Sequence, residues 1–356
     1  MTDKFPRVNI NLNKLKENCL KMKELSNKHG IDILMPVVKV VCGNQIIIQT
    51  IVDSGFEFLA DSRIQNLKDF QKLHAKKVLL RIPMPSEAKS VVLYSDISLN
   101  SEIKTILALD KAARKANLTH DVILMFDLGD LREGFYYQDE YLEDIQLILK
   151  MNNIRLIGIG TNLTCYGGLV PSKEILNRLV KIKNEIEIIH NHKLSIISGG
   201  NSSSIHLLES GQIPKEVNSL RIGEAIFLGK ETAYQQSIPG FWTDVFELEA
   251  EIVELKYKPS FPDGETSFNS FGEKISIEDK GSMFRGIVAI GKQDVLSENI
   301  FPHDSSLEVI GASSDHLILD MSDTRYQVGD TITFSMNYPG LLHLMNSKYV
   351  KKNIIK

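Results

Sequence analysis

Lys39 closes most of an apolar, β-branched run, Met35-Pro36-Val37-Val38-Lys39-Val40-Val41, and Cys42, Gly43, Asn44 and Gln45 follow it. The run reads as a buried strand whose carboxyl end presents Lys39 to a cleft. A lysine kept from water loses basicity and becomes a nucleophile able to form a Schiff base. The alternative is an ammonium that snorkels out at the strand end. Three further segments carry chemistry. Ser198-Gly199-Gly200-Asn201-Ser202-Ser203-Ser204 combines glycines that let backbone approach an anion with serine hydroxyls and a helix start. That suits a phosphate cradle, or an N-capped turn. Arg221-Ile222-Gly223 places a guanidinium at a strand end, as an anion donor or a structural ion-pair partner. Asp127-Leu128-Gly129-Asp130-Leu131-Arg132-Glu133-Gly134 is either a solvated charged loop or a place where Arg132 donates to an anionic oxygen while Asp127 orients a neighbour.

Something must bring these segments together. Arg7 to Leu12 alternates as a half-buried strand, and Asn13 stands where a cap would start a helix running to about His29. Beyond it, apolar runs around Lys39 and at 56–60, 77–80, 96–99, 122–127, 154–158, 194–198 and 219–222 alternate with helical stretches such as 45–53, 101–117, 141–151 and 172–190. Asp61-Ser62 caps one of the intervening helices. Eight such units predict an α/β fold, a closed parallel (β/α)8 TIM barrel over 1–235 with its chemistry at the carboxyl ends of the strands. In that fold a phosphate group commonly sits between the loops after strands seven and eight, where the Ser198 and Arg221 segments fall. From about Gly240 helical periodicity disappears. Runs at 246–255, 286–290, 306–310, 316–321 and 331–335 predict a second, β-rich domain over 236–356, with 257–282 as a long exposed loop or hairpin insertion.

The bulk numbers narrow the partners. Of 356 residues 43% are hydrophobic and 24% charged, and the net charge of -4 is too small to suggest nucleic acid or an anionic membrane as partner. A small-molecule function is the expectation. Cys19, Cys42 and Cys165 are far apart and in no metal-ligand spacing, so neither a disulfide frame nor a metal site is expected. The residues from Met1 to Pro6 hold no apolar core of a signal sequence, and no run of about 18 apolar residues occurs, which together predict a cytoplasmic protein.

The combination of V-x-K-x-x-C-G at 37–43, D-x-G-x-x-R at 127–132, S-G-G-N-S at 198–202, R-x-G at 221–223, I-G-K-Q-D at 290–294 and Asn337-Tyr338 in a β-rich tail resembles the fold-type III pyridoxal phosphate racemases, typified by alanine racemase. Almost the whole chain takes part. In texture it is most similar to the ornithine racemase group. The resemblance implies that Lys39 holds pyridoxal 5'-phosphate as an imine. It also implies that Asn201, Ser202, the Ile222 amide, Gly223 and Tyr338 surround the phosphate, and that Arg132 lies near the phenolic oxygen and the substrate carboxylate. Arg221 would face the pyridine nitrogen. Because a guanidinium only donates, that nitrogen would stay unprotonated, which weakens the electron sink and restrains side reactions.

The departures are specific. Lys292 stands where alanine racemases have a catalytic tyrosine, so it becomes the candidate acid/base opposite Lys39, or a carboxylate binder while another residue moves the proton. Met125 replaces the alanine enzyme's carbamylated lysine, and Gly43 a tyrosine that contacts phosphate. Acids near the motifs, Asp130, Glu133, Asp294 and Asp315, can receive a distal ammonium, with Asp294 and Asp315 as the assigned substrate contacts. The expected activity is racemisation of a basic amino acid such as ornithine or lysine, in a homodimer that shares its active sites. The alternatives are alanine racemase, a decarboxylase of the same fold, whose usual H-x-G-S segment is missing at 161–168, and a non-catalytic cofactor carrier, which lacks a β domain.

Overall fold

The computed structural model describes residues 5–274 and 277–356. It divides into two compact units, Asn13–Thr243 and Met1–Leu12 with Asp244–Lys356.

The strand β1 (Arg7–Asn11) leads into α1 (Leu12–Lys28), which starts two residues earlier than a cap at Asn13 predicts. The Asn13–Thr243 unit then lays down β2 (Ile33–Pro36), α2 (Gln45–Asp53), β3 (Phe58–Asp61), α3 (Ile64–Asp69), β4 (Lys76–Leu79), α4 (Ala88–Tyr94), β5 (Ile97–Asn100), α5 (Ile103–Ala116) and β6 (His120–Asp127). A two-residue β7 (Phe135–Tyr136), α6 (Leu142–Leu149), β8 (Ile154–Gly160), α7 (Lys173–His190), β9 (Ile196–Ser198), α8 (Ile205–Glu209), β10 (Ser219–Ile222) and α9 (Glu224–Leu228) complete it. The sheet runs β2-β10-β9-β8-β6-β5-β4-β3, with every pairing parallel. A parallel bridge from Val37 to Ala60 joins its two ends. The eight predicted runs are therefore the eight strands of the barrel. Local chemistry sets the elements: Asn44 accepts the Ile46 and Ile47 amides at 3.2 Å to start α2, and Ser172 accepts Ile175 to start α7. Met35, Phe58, Ala60, Val78, Ile97, Leu99, Ile123, Met125 and Ile196 cluster as a buried core, so the interior is packed rather than hollow.

The second unit takes β1 from the amino terminus. Although 1–235 was the expected barrel range, β1 pairs antiparallel with β11 (Phe246–Pro259) and parallel with β17 (Lys351–Ile355). Its alternation of Arg7, Val8, Asn9, Ile10 and Asn11 explains this, because a barrel strand covered on both faces reads as a near-continuous apolar run. Between them lie β12 (Ser282–Val288), β13 (Ile300–Pro302), β14 (Glu308–Ala312), β15 (Leu317–Asp320) and β16 (Thr331–Met336), in the order β13-β16-β11-β12-β15-β14, then α10 (Tyr338–Asn346). β11 and β12 pair out to Pro259 and Ser282, so the predicted insertion is the tip of a long hairpin; its residues 275 and 276 lie outside the described ones.

Candidate active site

Lys39 is not on a strand. β2 ends at Pro36, the amides of Val37 and Val38 go to Ile222 O (2.7 Å) and Ala60 O (2.8 Å), and Lys39–Val41 then forms a turn of 3-10 helix. Cys42 ends the turn in the left-handed region (φ 47°) and donates its amide to Lys39 O, and Gly43 follows at φ 75°. Thus the run was read one element too long, because a strand and a short turn share the same apolar composition. Lys39 nonetheless stands at the carboxyl end of the barrel, half-buried. Burial is the largest influence on its amine and pushes it below the ordinary lysine value; Arg132 adds to this, while Cys165, Asp61 and Glu133 pull the other way. Burial in turn raises both the Cys165 thiol and the Asp61 carboxyl. Asp61 is fully buried and held by the Arg63 amide (2.8 Å) and Asn66 Nδ2 (3.1 Å).

Arg221, on β10, is only 3% exposed. Its Nη1 donates to Ser198 Oγ (2.6 Å) and its Nη2 to Thr161 O (2.6 Å) and Asn162 Oδ1 (2.5 Å). All three acceptors are neutral, and burial pulls the guanidinium down to about 10. It still carries its charge at neutral pH. A buried cation bonded only to neutral acceptors is costly, which is why such a group marks a place built for something else.

Ser202 is buried, and its Oγ accepts from the Gly223 amide (3.2 Å) and the Ala225 amide (3.4 Å). This hydroxyl draws the loop after β9 to the loop after β10 and retains its own hydrogen as a donor. Asn201 braces the same loop, accepting Ser203 N (2.8 Å) and donating to Leu163 O (3.0 Å) and Cys165 Sγ (3.2 Å). Gly200 at φ 110° needs to be glycine, and a Cβ there would also lie 2.9 Å from Ser204 Oγ.

The charged segment after β6 separates into two roles. Asp127 Oδ1 accepts the Gly129 and Leu131 amides, so it folds its own loop rather than orienting a neighbouring side chain. Asp130 is 1% exposed, and its oxygens accept the amides of Cys165, Tyr166 and Leu169, each at 3.0 Å. It is committed to backbone and cannot meet a substrate ammonium. Arg132 and Glu133 reach the mouth instead. Glu133 pairs with Arg132 Nε and with Nη2 (2.7 Å), and also accepts from Asn162 Nδ2. Asn162 and Asp61 are the residues that motif reading passed over; the signal available for both was their position at or just past the carboxyl end of a barrel strand.

In the other unit, Lys292 and Gln293 donate their amides to Ser313 O (2.9 Å) and Ser314 O (3.0 Å), which ties the turn at 291–294 to the turn at 313–315. Lys292 Nζ lies 2.8 Å from Glu273 and 4.3 Å from the centre of the Phe271 ring, both on the hairpin tip. Asp294 Oδ1 accepts Ser347 Oγ (2.5 Å). Asp294 and Asp315 line one open cavity of about 530 Å³, together with Gln293, His316 and Tyr349. Tyr338 opens α10, behind Asn337, whose Oδ1 caps the Gly340 amide (2.9 Å). The predicted residues thus fall in two sets: Lys39, Arg132, Asn201, Ser202, Arg221, Ile222 and Gly223 at the barrel mouth, and Lys292, Asp294, Asp315 and Tyr338 in the β-rich unit.

Comparison with known proteins gives a consistent result. The family model described as "Alanine racemase, N-terminal domain" matches residues 10–231. The chain is 48% identical over 353 residues to an ornithine racemase of Acetoanaerobium sticklandii, covering 99% of this chain and 100% of that one. It is 37% identical over 351 residues to a lysine racemase of Thermotoga maritima, covering 98% of each. Among solved structures it is similar to the alanine racemase of Bartonella henselae with covalently bound pyridoxal phosphate, with a TM-score of 0.74 at 16% identity over 99% of this chain and 100% of that one.

Proposed function

The chain belongs to the alanine racemase family, and on that premise we propose that it is a pyridoxal phosphate-dependent racemase of a basic amino acid, ornithine or lysine, working from the barrel mouth around Lys39. The observation that carries the reading is the shared position, at one end of the barrel, of a partly desolvated lysine and a buried arginine whose three hydrogen-bond acceptors are all neutral.

The residues present fit the cofactor. Lys39 supplies the amine for its aldehyde, Ser202 and the Ile222-Gly223 backbone the donors for its phosphate, and Arg221 a donor for its ring nitrogen. Bound there, pyridoxal phosphate would supply an electron sink that acidifies the α-hydrogen of the amino acid. Lys39, its amine freed when the substrate's amino group takes its place, would take or return that proton on one face, for which a lowered pKa suits it. Arg132 holds the substrate carboxylate. Inversion needs a second group on the opposite face, because a single base returns the proton where it found it. Lys292 takes that role, supplied by the partner subunit of a homodimer, with Tyr338 completing the phosphate contacts.

Asp294 and Asp315 are the acids that receive the distal ammonium. Of the four acids near the motifs, Asp130 is withdrawn by its three amide bonds, and Glu133 is engaged by Arg132 and Asn162. Among the described residues no helix is long and apolar enough to cross a membrane, and the three cysteines are free. Both fit a cytoplasmic enzyme.

Separate incubations of L-ornithine, L-lysine and L-alanine with the cofactor-loaded protein test the reading. Loss of optical rotation with appearance of the D-enantiomer, fastest for a basic substrate and without carbon dioxide, is expected. Carbon dioxide release would replace it with a decarboxylase.

A further inference from the structure

Asn162 follows β8 and offers two different ends, an oxygen that only accepts and an NH2 that only donates. Arg221 has only donors, and its Nη2 takes the Asn162 oxygen at 2.5 Å. The Glu133 carboxylate has only acceptors, and it takes the Asn162 NH2. One orientation of the amide satisfies both neighbours. Turning it over would set NH2 against guanidinium and oxygen against carboxylate, two donors facing each other at one end and two acceptors at the other.

We propose that Glu133 is a positioning residue of the racemase site, which acts through Asn162 to fix the oxygen that aims the Arg221 guanidinium at the cofactor. Asn162 Oδ1, Thr161 O and Ser198 Oγ together define the plane of that guanidinium, and of the three only Asn162 Oδ1 belongs to a group that can reverse itself. The Glu133 side chain is 20% exposed and is clamped by Arg132, so it is a fixed reference for the amide. Arg132 and Asn162 are the groups bonded to it, and Lys39 and Arg221 both feel its charge. Asp130, three residues earlier, takes no part, since its oxygens face the backbone amides at 165, 166 and 169. The sequence Arg132-Glu133 therefore encodes both the pairing of one arginine and, through a residue 29 positions further on, the aim of another.

The inference rests on Lys39 and Arg221 facing the cofactor. Borohydride reduction of the wild-type holoenzyme, which should add the cofactor's mass to the Lys39 peptide, checks that premise separately. The test itself compares wild type, Glu133→Gln, Asn162→Ala and the double variant as holoenzymes, by the dissociation constant of the cofactor and its visible absorption maximum. Melting curves confirm that each is folded, and Asn162→Ser replaces the alanine variant if that one does not melt cooperatively. Each single change should weaken cofactor retention about tenfold and move the absorption maximum, since a charge-assisted hydrogen bond is lost or reversed. If Glu133 acts through Asn162, its effect should shrink at least about threefold once Asn162 is gone. A Glu133→Gln enzyme indistinguishable from wild type overturns the proposal, and so does an effect that shrinks less than that.

Discussion

Val37 bridges Ala60 in parallel register, and two residues later the chain presents Lys39. The seam that joins the ends of the barrel therefore also sets the depth of the reactive amine: Val37 N is spent on Ile222 and Val38 N on Ala60, and the turn that follows carries Lys39 at the barrel mouth beside Arg132, Asp61 and Glu133.

Lys39→Ala should lower racemisation by about 10²–10⁴-fold, the usual worth of a positioned acid/base, while leaving the melting temperature near that of wild type. The Lys39 peptide should gain no mass on borohydride reduction. A variant retaining most of the rate would remove Lys39 from the chemistry.

Lys292→Ala should separate exchange from inversion. With Lys39 intact, one of the two enantiomers, the one whose α-hydrogen faces Lys39, should still exchange that hydrogen in deuterated water with retained configuration, while its conversion to the other falls about 10²–10⁴-fold. Loss of exchange as large as the loss of inversion for both enantiomers would argue against Lys292 as the opposite-face group. Glu273, which holds Lys292 at 2.8 Å, should show a smaller effect as Glu273→Gln.

Asp315→Asn and Asp294→Asn should each lower kcat/KM for ornithine relative to alanine by about tenfold or more, because an anionic partner for the distal ammonium is lost. The comparison is of ratios, so general damage to the site cancels. Unchanged ratios for both variants would move specificity elsewhere.

Acid stability should follow His120. It is 1% exposed, and its Nε2 lies 2.8 Å from Ser98 Oγ. Burial lowers its pKa from 6.5 to about 4, against the opposing pull of Asp121 and Asp96. The unfolded chain thus binds this proton at a higher pH than the folded one, so stability is full above pH 6.5 and is lost as pH falls toward 4, by about 3 kcal/mol. Urea denaturation across that range should show the loss, and His120→Gln should flatten it; an unchanged slope in the variant would discard the assignment.

Gly158→Ala tests the barrel wall. A Cβ there would lie 2.2 Å from Ile196 O and 2.7 Å from Ile196 Cβ on the neighbouring strand, so the variant should lose about 2–3 kcal/mol or more in urea denaturation. A loss below about 0.5 kcal/mol would mean that β8 and β9 can part without strain.

The eight barrel strands and the main helices were legible in the chain itself, because apolar runs and helical periodicity are local properties. Lys39 and Arg221 stood out for the same reason, a charge set within or at the end of an apolar run, whereas Ser202 and Arg132 stood out by the glycines, serines and charges crowded around them. Other features were written over distances no local pattern spans. β1 reads as a strand but not as a partner of β11 and β17, some 240 and 340 residues away. Asp130 and Glu133 look equally available in the sequence, yet one is buried against backbone amides and the other reaches Asn162 and the mouth. Composition and spacing determined which residues have chemistry to offer; closure of the barrel decided which of them meet, since hydrogen-bond partners are chosen by proximity in the folded chain and not along it.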